Sequence, residues 1–213
     1  MTGNIQTRVV IRSVALELFS SRGYEQTSLR EIAERVGLTK ASLYYHYPSK
    51  QALLLDLVRP LVDQWRASAA RAEAMPHTPG NVQAVLGSCL DAVFANRPAA
   101  ALFVRDTAAV VAAVAPIWEE LMGLNRRLHT WLAGPRPATV DAIRAVVAME
   151  VLGAALTSTA YLPDVAEDEL RATVLEAATA VLGLRCAPVG GAGDSRPATG
   201  DAAAGGTDGH CQA

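Results

Sequence analysis

The stretch TSLREIAERVGLTKASLYYHYPSKQALLLDLV, residues 27–58, decides the fold of this chain. Leu29, Ile32, Ala33 and Val36 recur at the i, i+3, i+4, i+7 spacing of one helical face. Ser28 and Glu31 stand three apart ahead of that run, the pattern of a capping box. Gly37 stops the helix. Thr39 can cap a third, short helix through about Tyr47, and Pro48 ends it. Two short helices joined by Gly37-Leu38-Thr39 form a helix-turn-helix pattern, although an ordinary corner between two helices has the same spacing.

The composition of the short helix decides between these readings. Leu43 and Tyr47 lie four apart and share a face, so they are expected in the core with Phe19, Ile32 and Val36. The opposite face offers Ala41 and Tyr45, flanked by Ser42, Tyr44 and His46. It has no Asp or Glu, and Lys40 and Lys50 stand at its ends. A solvated helix normally carries acidic residues, whereas a surface that meets phosphates avoids them.

Charge follows the same division. Residues 1–60 hold eight Lys and Arg against five Asp and Glu, and they include both lysines of the chain. The remaining residues carry eleven basic against sixteen acidic side chains, which brings the whole to −2. An N-terminal module facing a polyanion, joined to a body that does not, is the simplest account.

Working outward, helical periodicity continues and no strand is expected. A first helix spans about Thr7 to Ser21, ending at Gly23. A long helix leaves Ser49 and carries Pro60, which should kink it. Further helices are expected over Pro79–Ala95, Pro98–Ala113, Pro116–Ala133, Thr139–Leu162 and Asp164–Leu184. Asp164 and Glu167 offer a second capping box. The total is an all-α fold of about nine helices, divided into a DNA-binding domain over 1–50 and a helical body over 51–185. Residues 186–213 complete the chain. Half of these 28 residues are Gly or Ala and Val189 is the only large aliphatic residue, so a disordered tail is expected.

Several function classes are excluded. The 213 residues are 51% apolar, ample for a core, but the longest run without polar residues, Ala108–Trp118, is too short to span a bilayer. No secretory signal is found, because Arg12 and Glu17 interrupt the apolar N-terminal stretch. Cys89, Cys186 and Cys211 are far apart and odd in number, so neither disulfides nor a zinc motif is expected, and a reducing cytoplasm is the natural setting. There is no nucleophile elbow, phosphate-binding loop or His-Glu-x-x-His, hence no catalytic residues, no metal and no cofactor. His77, His129 and His210 are isolated from one another.

Residues 27–58 resemble the DNA-binding signature of the TetR family of bacterial transcriptional regulators, and the upstream ALELFSSRGYEQTS resembles that family's first helix. Ile32-Ala33, Val36-Gly37, Leu43-Tyr44, His46 and Lys50 carry the likeness. Tyr47 stands where Phe is commoner. The resemblance implies a homodimer on double-stranded operator DNA, responsive to a small, largely apolar effector. Thr27 or Ser28 would bind a phosphate and Thr39 would cap the recognition helix. Lys40, Ala41, Ser42 and Tyr45 would approach base edges, while Tyr44, His46 and Lys50 would hold the DNA backbone. Tyr44 also reads as a core residue, and His46 as a cap. Two-fold symmetry would set the recognition helices roughly 34 Å apart.

Two further sites are expected in the body. Phe94, Phe103, Trp118, Met122 and Trp131 suit an apolar pocket as well as plain core, with Asn125, His129, Arg105 and Asp106 as possible polar anchors. The segment Val140–Leu162 is apolar nearly all round its wheel, so a partner subunit is expected to cover one side. Val146, Met149, Gly153 and Leu156, with Val174 and Ala178 of the last helix, are the expected dimer interface. The alternative in another class is a helical ligand-binding or scaffolding dimer that does not bind DNA.

Overall fold

The computed structural model describes residues 2–184 with the exception of Asp106. Eleven helices follow one another, with no strand among the described residues: α1 (Thr2–Arg22), α2 (Leu29–Val36), α3 (Lys40–His46), α4 (Lys50–Ala74), α5 (Pro79–Ala95), α6 (Arg97–Arg105), α7 (Thr107–Ala113), α8 (Ala115–Ala133), α9 (Thr139–Leu152), α10 (Ala154–Tyr161) and α11 (Glu167–Val181). The count exceeds the nine expected because two runs divide. The run expected over Pro98–Ala113 is α6 and α7, and the run expected over Thr139–Leu162 is α9 and α10, separated at Gly153. The expected tail, with Cys186, Cys211 and His210, lies outside the described residues.

Local chemistry sets the ends of the N-terminal helices. Ser28 Oγ accepts from the Glu31 amide at 3.1 Å, and Gly37 takes φ +77° while the Leu38 amide closes back on the Ala33 carbonyl at 2.9 Å. Only half of the expected capping box forms, because the Glu31 carboxylate turns to Arg22 instead. Thr39 Oγ1 accepts from the Ser42 amide at 3.1 Å, and Ser49 Oγ from the Ala52 amide at 3.0 Å. The expected box at Asp164 is absent. The last helix begins two residues after Val165, at Glu167, and its N-cap is Ala166, which has no side-chain acceptor.

Two apolar cores organise the molecule. The first gathers Ile11, Leu18 and Phe19 of α1 with Ile32 of α2, Leu43 and Tyr47 around α3, and Leu53, Leu54, Leu57 and Val58 of α4. It also takes Leu102 of α6 and Val110 and Val114 from around α7. A boundary at residue 50 therefore cuts through packed side chains, and the N-terminal module ends nearer Val58. The second core is built from α5, α8, α9 and α11 with the later part of α4. Cys89 is buried there, and burial pushes its thiol up to about 12, so it stays protonated and unreactive at neutral pH.

Helix α4 belongs to both cores and runs unbroken across Pro60. Val58 is the last residue it gives to the first core, and Val62 the first it gives to the second.

Candidate nucleic-acid interface, cavity and pairing face

Helix α3 is held by its inner face alone. Leu43 is fully buried and Tyr47 is 1% exposed, so truncating Leu43 would cost about 2–5 kcal/mol. Tyr47 does more than fill space. Its hydroxyl donates to Asp56 Oδ2 at 2.6 Å, and the guanidinium of Arg8 lies 4.8 Å from its ring centre. Asp56 in turn faces Arg8 and Arg12 at 3.5 and 3.8 Å. This cluster ties the end of α3 to α1 and α4, an anchor that Phe at this position could not form. Burial pushes the phenol above its ordinary range, with the Asp56 bond adding to the rise, so Tyr47 remains a donor at pH 7.

The outer face of α3 carries the residues expected to meet DNA. Tyr45 is 79% exposed, with its ring edge-on to His46 at 5.5 Å. Tyr44 is 41% exposed, which decides against the core reading, and the Lys40 ammonium sits 5.6 Å from its ring centre. Ala41, Lys40 and Thr39 are exposed, while Ser42 and His46 are half-buried.

Beside α3, a concave notch is lined by Ser28, Tyr44, Ser49 and Lys50, with Glu25 and Thr27 also in its lining. The starts of α2 and α4 converge on it. Each of these helices leaves its first amides without an intrahelical acceptor, and each directs its positive dipole end there. Such a notch favours a phosphate.

Two expected phosphate contacts are corrected. Thr27 is 1% exposed, and its hydroxyl donates inward to the Gly23 carbonyl at 2.8 Å, so Ser28 is the hydroxyl available at the notch. Lys50 is turned inward as well. Its ammonium donates to the carbonyls of Tyr24, Thr27 and Glu25 at 2.8, 3.0 and 3.1 Å, and lies 4.4 Å from the Tyr24 ring centre. All three of its protons are engaged in holding the loop between α1 and α2. Lys50→Ala is therefore expected to lower the melting temperature by several degrees and to weaken binding to every duplex. The slope of log affinity against log salt should change by less than about half a unit. A slope lowered by a full unit would put the ammonium on a phosphate instead.

The body encloses a cavity of about 370 Å³. Phe103, Trp118, Met122, Asn125 and His129 line it as expected. Phe94 and Trp131 do not. Phe94 packs against the second core under the Arg97 guanidinium, and Trp131 stacks edge-on with His77, its indole N–H directed at the Met75 carbonyl. Asp106 and the Arg105 side chain lie outside what is described. Sequence reasoning missed Trp65, which donates to Asn125 Oδ1 at 2.7 Å in the wall of the cavity, and Glu150. The pairing of Trp65 with Asn125, sixty residues on, leaves no local signal.

The pairing face also shifts. Met149, Val174 and Ala178 are buried in the subunit's own core, and Gly153 and Leu156 border the cavity. Of the expected interface only Val146 is exposed, together with Val140, Ile143 and Val147. The wheel of this helix is apolar on most sides, so no polar residue fixes its rotation from sequence alone. Ala172, Thr173, Glu176, Ala177 and Ala180 form the exposed side of α11, which packs against α9.

Residues 11–57 match the family described as bacterial regulatory proteins, tetR family. Over 57 residues the chain is 44% identical to the HTH-type transcriptional regulator RutR of Escherichia coli, a match that covers 27% of this chain and 27% of RutR. The segment shared with that curated relative is thus about a quarter of its length. The likeness of fold extends further. The crystal structure of Mycobacterium smegmatis AmtR superposes with a TM-score of 0.69 at 24% identity, covering 83% of this chain and 86% of AmtR. A transcriptional regulator from Aquifex aeolicus gives 0.64 at 20% identity, covering 82% of this chain and 99% of its own. Residues 11–57 thus carry the DNA-binding signature of the bacterial regulatory proteins of the tetR family, and the helical body shares the fold of solved transcriptional regulators.

Proposed function

We propose that this regulator binds a palindromic operator in double-stranded DNA as a homodimer, and represses transcription until a small, largely apolar molecule occupies the cavity. The observation that carries the reading is the outer face of α3. It is exposed and free of acidic residues, centred on Tyr45, and borders the notch where two helix N-termini meet. Tyr45, Ala41, Ser42 and Lys40 would read base edges. Tyr44, His46 and Ser28 would fix the register on phosphates.

The dimer follows from α9. Val140, Ile143 and Val147 form an exposed apolar stripe at helical spacing, and a second copy of α9 and α11 across a two-fold axis would cover it. Communication between cavity and DNA has two carriers. Leu61, Val62 and Trp65 of α4 line the cavity directly after Pro60, while Leu57 and Val58 just before it belong to the DNA-binding core. On α6, Ala100 and Phe103 line the cavity while Leu102 packs into that same core. A ligand that displaces either helix would shift α3, with Pro60 as the place where α4 bends.

Among the described residues, no helix is long and apolar enough to cross a membrane, and no three His, Cys, Asp or Glu side chains cluster as for a metal. A gel shift with the DNA beside the protein's own gene tests the proposal. A discrete complex that survives excess non-specific competitor is expected, and smearing that any competitor abolishes would refute it.

A further inference from the structure

The lining of the cavity is one-sided in charge. Glu150 is the only Asp, Glu, Lys or Arg among the described residues that line it, and Glu150 forms no hydrogen bond or ion pair with another described side chain. It stands in the last turn of α9, whose residues Met149, Glu150 and Leu152 all border the cavity. The C-terminal end of a helix carries partial negative charge, which adds to the carboxylate rather than offsetting it.

The neutral groups do not reverse that sign. His129 is the titratable neighbour of Glu150, and burial lowers its pKa while Glu150 opposes the fall. Its imidazole is therefore neutral at pH 7. Asn125 accepts from the Trp65 indole through Oδ1, which fixes the ring of Trp65 in the wall. Trp118 adds a second indole to the lining. Electron-rich aromatic faces attract cations, as a carboxylate does, and both repel an anion. Glu150 is exposed whereas Met149 and Leu152 beside it are buried, so the negative charge lies at the rim and the apolar lining below it.

We infer that the effector is a hydrophobic amine, with its apolar or aromatic body among Trp65, Trp118 and Met122 and its protonated nitrogen beside Glu150. This rests on the reading of the cavity as the effector site, and adds the chemical class of the ligand. Fatty acids and other hydrophobic anions are disfavoured by the same charges.

The test uses three probes that share one body: phenylbutylamine, phenylbutanol and phenylbutyrate, titrated calorimetrically into the full-length protein. The amine is expected to bind about tenfold more tightly than the alcohol, and the carboxylate most weakly. Glu150→Gln should bring the amine down to the affinity of the alcohol, with alcohol binding itself serving as the control for an intact cavity. Equal affinities of the three probes, a preference for the carboxylate, or an amine preference that survives Glu150→Gln would each overturn the inference while leaving an effector site in place. Failure of all three probes to bind would overturn both.

Discussion

A protein carrying Ile143→Asp and Val147→Asp is expected to be a folded monomer that has lost specific DNA binding. The two side chains are 58% and 43% exposed in the isolated subunit, so aspartate at both sites leaves the subunit core intact. In the proposed dimer both positions are covered, and each buried carboxylate without a partner costs several kcal/mol. Dimerisation matters to DNA because the second half-site is bound intramolecularly once the first is engaged. Such linkage raises avidity by about 10²–10⁴, so a loss of at least about a hundredfold is expected. Sedimentation at micromolar concentration and anisotropy titration on the same samples measure the two effects. A double variant that remains dimeric would move the interface away from α9.

Tyr45→Ala is expected to change which sequence is bound rather than how stably the chain folds. The side chain is 79% exposed and contributes nothing to the first core, so the melting temperature should hold. As the centre of the outward face of α3 it should account for discrimination at one or two base pairs, worth about 1–3 kcal/mol per contact. That corresponds to roughly 5- to 150-fold in relative affinity for the substituted positions. Scanning each half-site position against both proteins gives the comparison directly. The two neighbouring tyrosines serve as contrasts. Tyr47→Phe, which keeps the ring and removes the hydroxyl bonded to Asp56, should lower stability by about 1 kcal/mol without altering sequence preference.

The parts of this architecture set by local chemistry were legible in the sequence. The periodicity of Leu29, Ile32, Ala33 and Val36, the caps Ser28 and Thr39, and the helix stop at Gly37 all act over a few residues, and each appears in the structure where it was expected. The inward turn of Lys50 was not legible. Its acceptors are backbone carbonyls more than twenty residues away, and carbonyls have no sequence identity to read. Thr27 misled for a related reason, since a hydroxyl beside a helix start looks the same whether it caps, meets solvent or folds back on Gly23. The rotation of α9 escaped because alanine and valine occur on most of its sides, and only packing against α8 and α11 selects the buried ones. The cavity was half legible. Large aromatic residues announced themselves, but which of them lined a space and which stacked on a loop depended on distant partners such as His77 and Met75.

In the proposed complex, α3 reads operator DNA as one half of a symmetric pair. Selection of bound duplexes from a random pool at near-physiological salt tests it most directly. An inverted repeat whose half-sites are separated by one helical turn or somewhat more should be enriched, with Tyr45→Ala shifting the preferred bases within each half-site. A pool that shows no enriched sequence after repeated rounds, or one enriched in a single half-site without a symmetric mate, would contradict it.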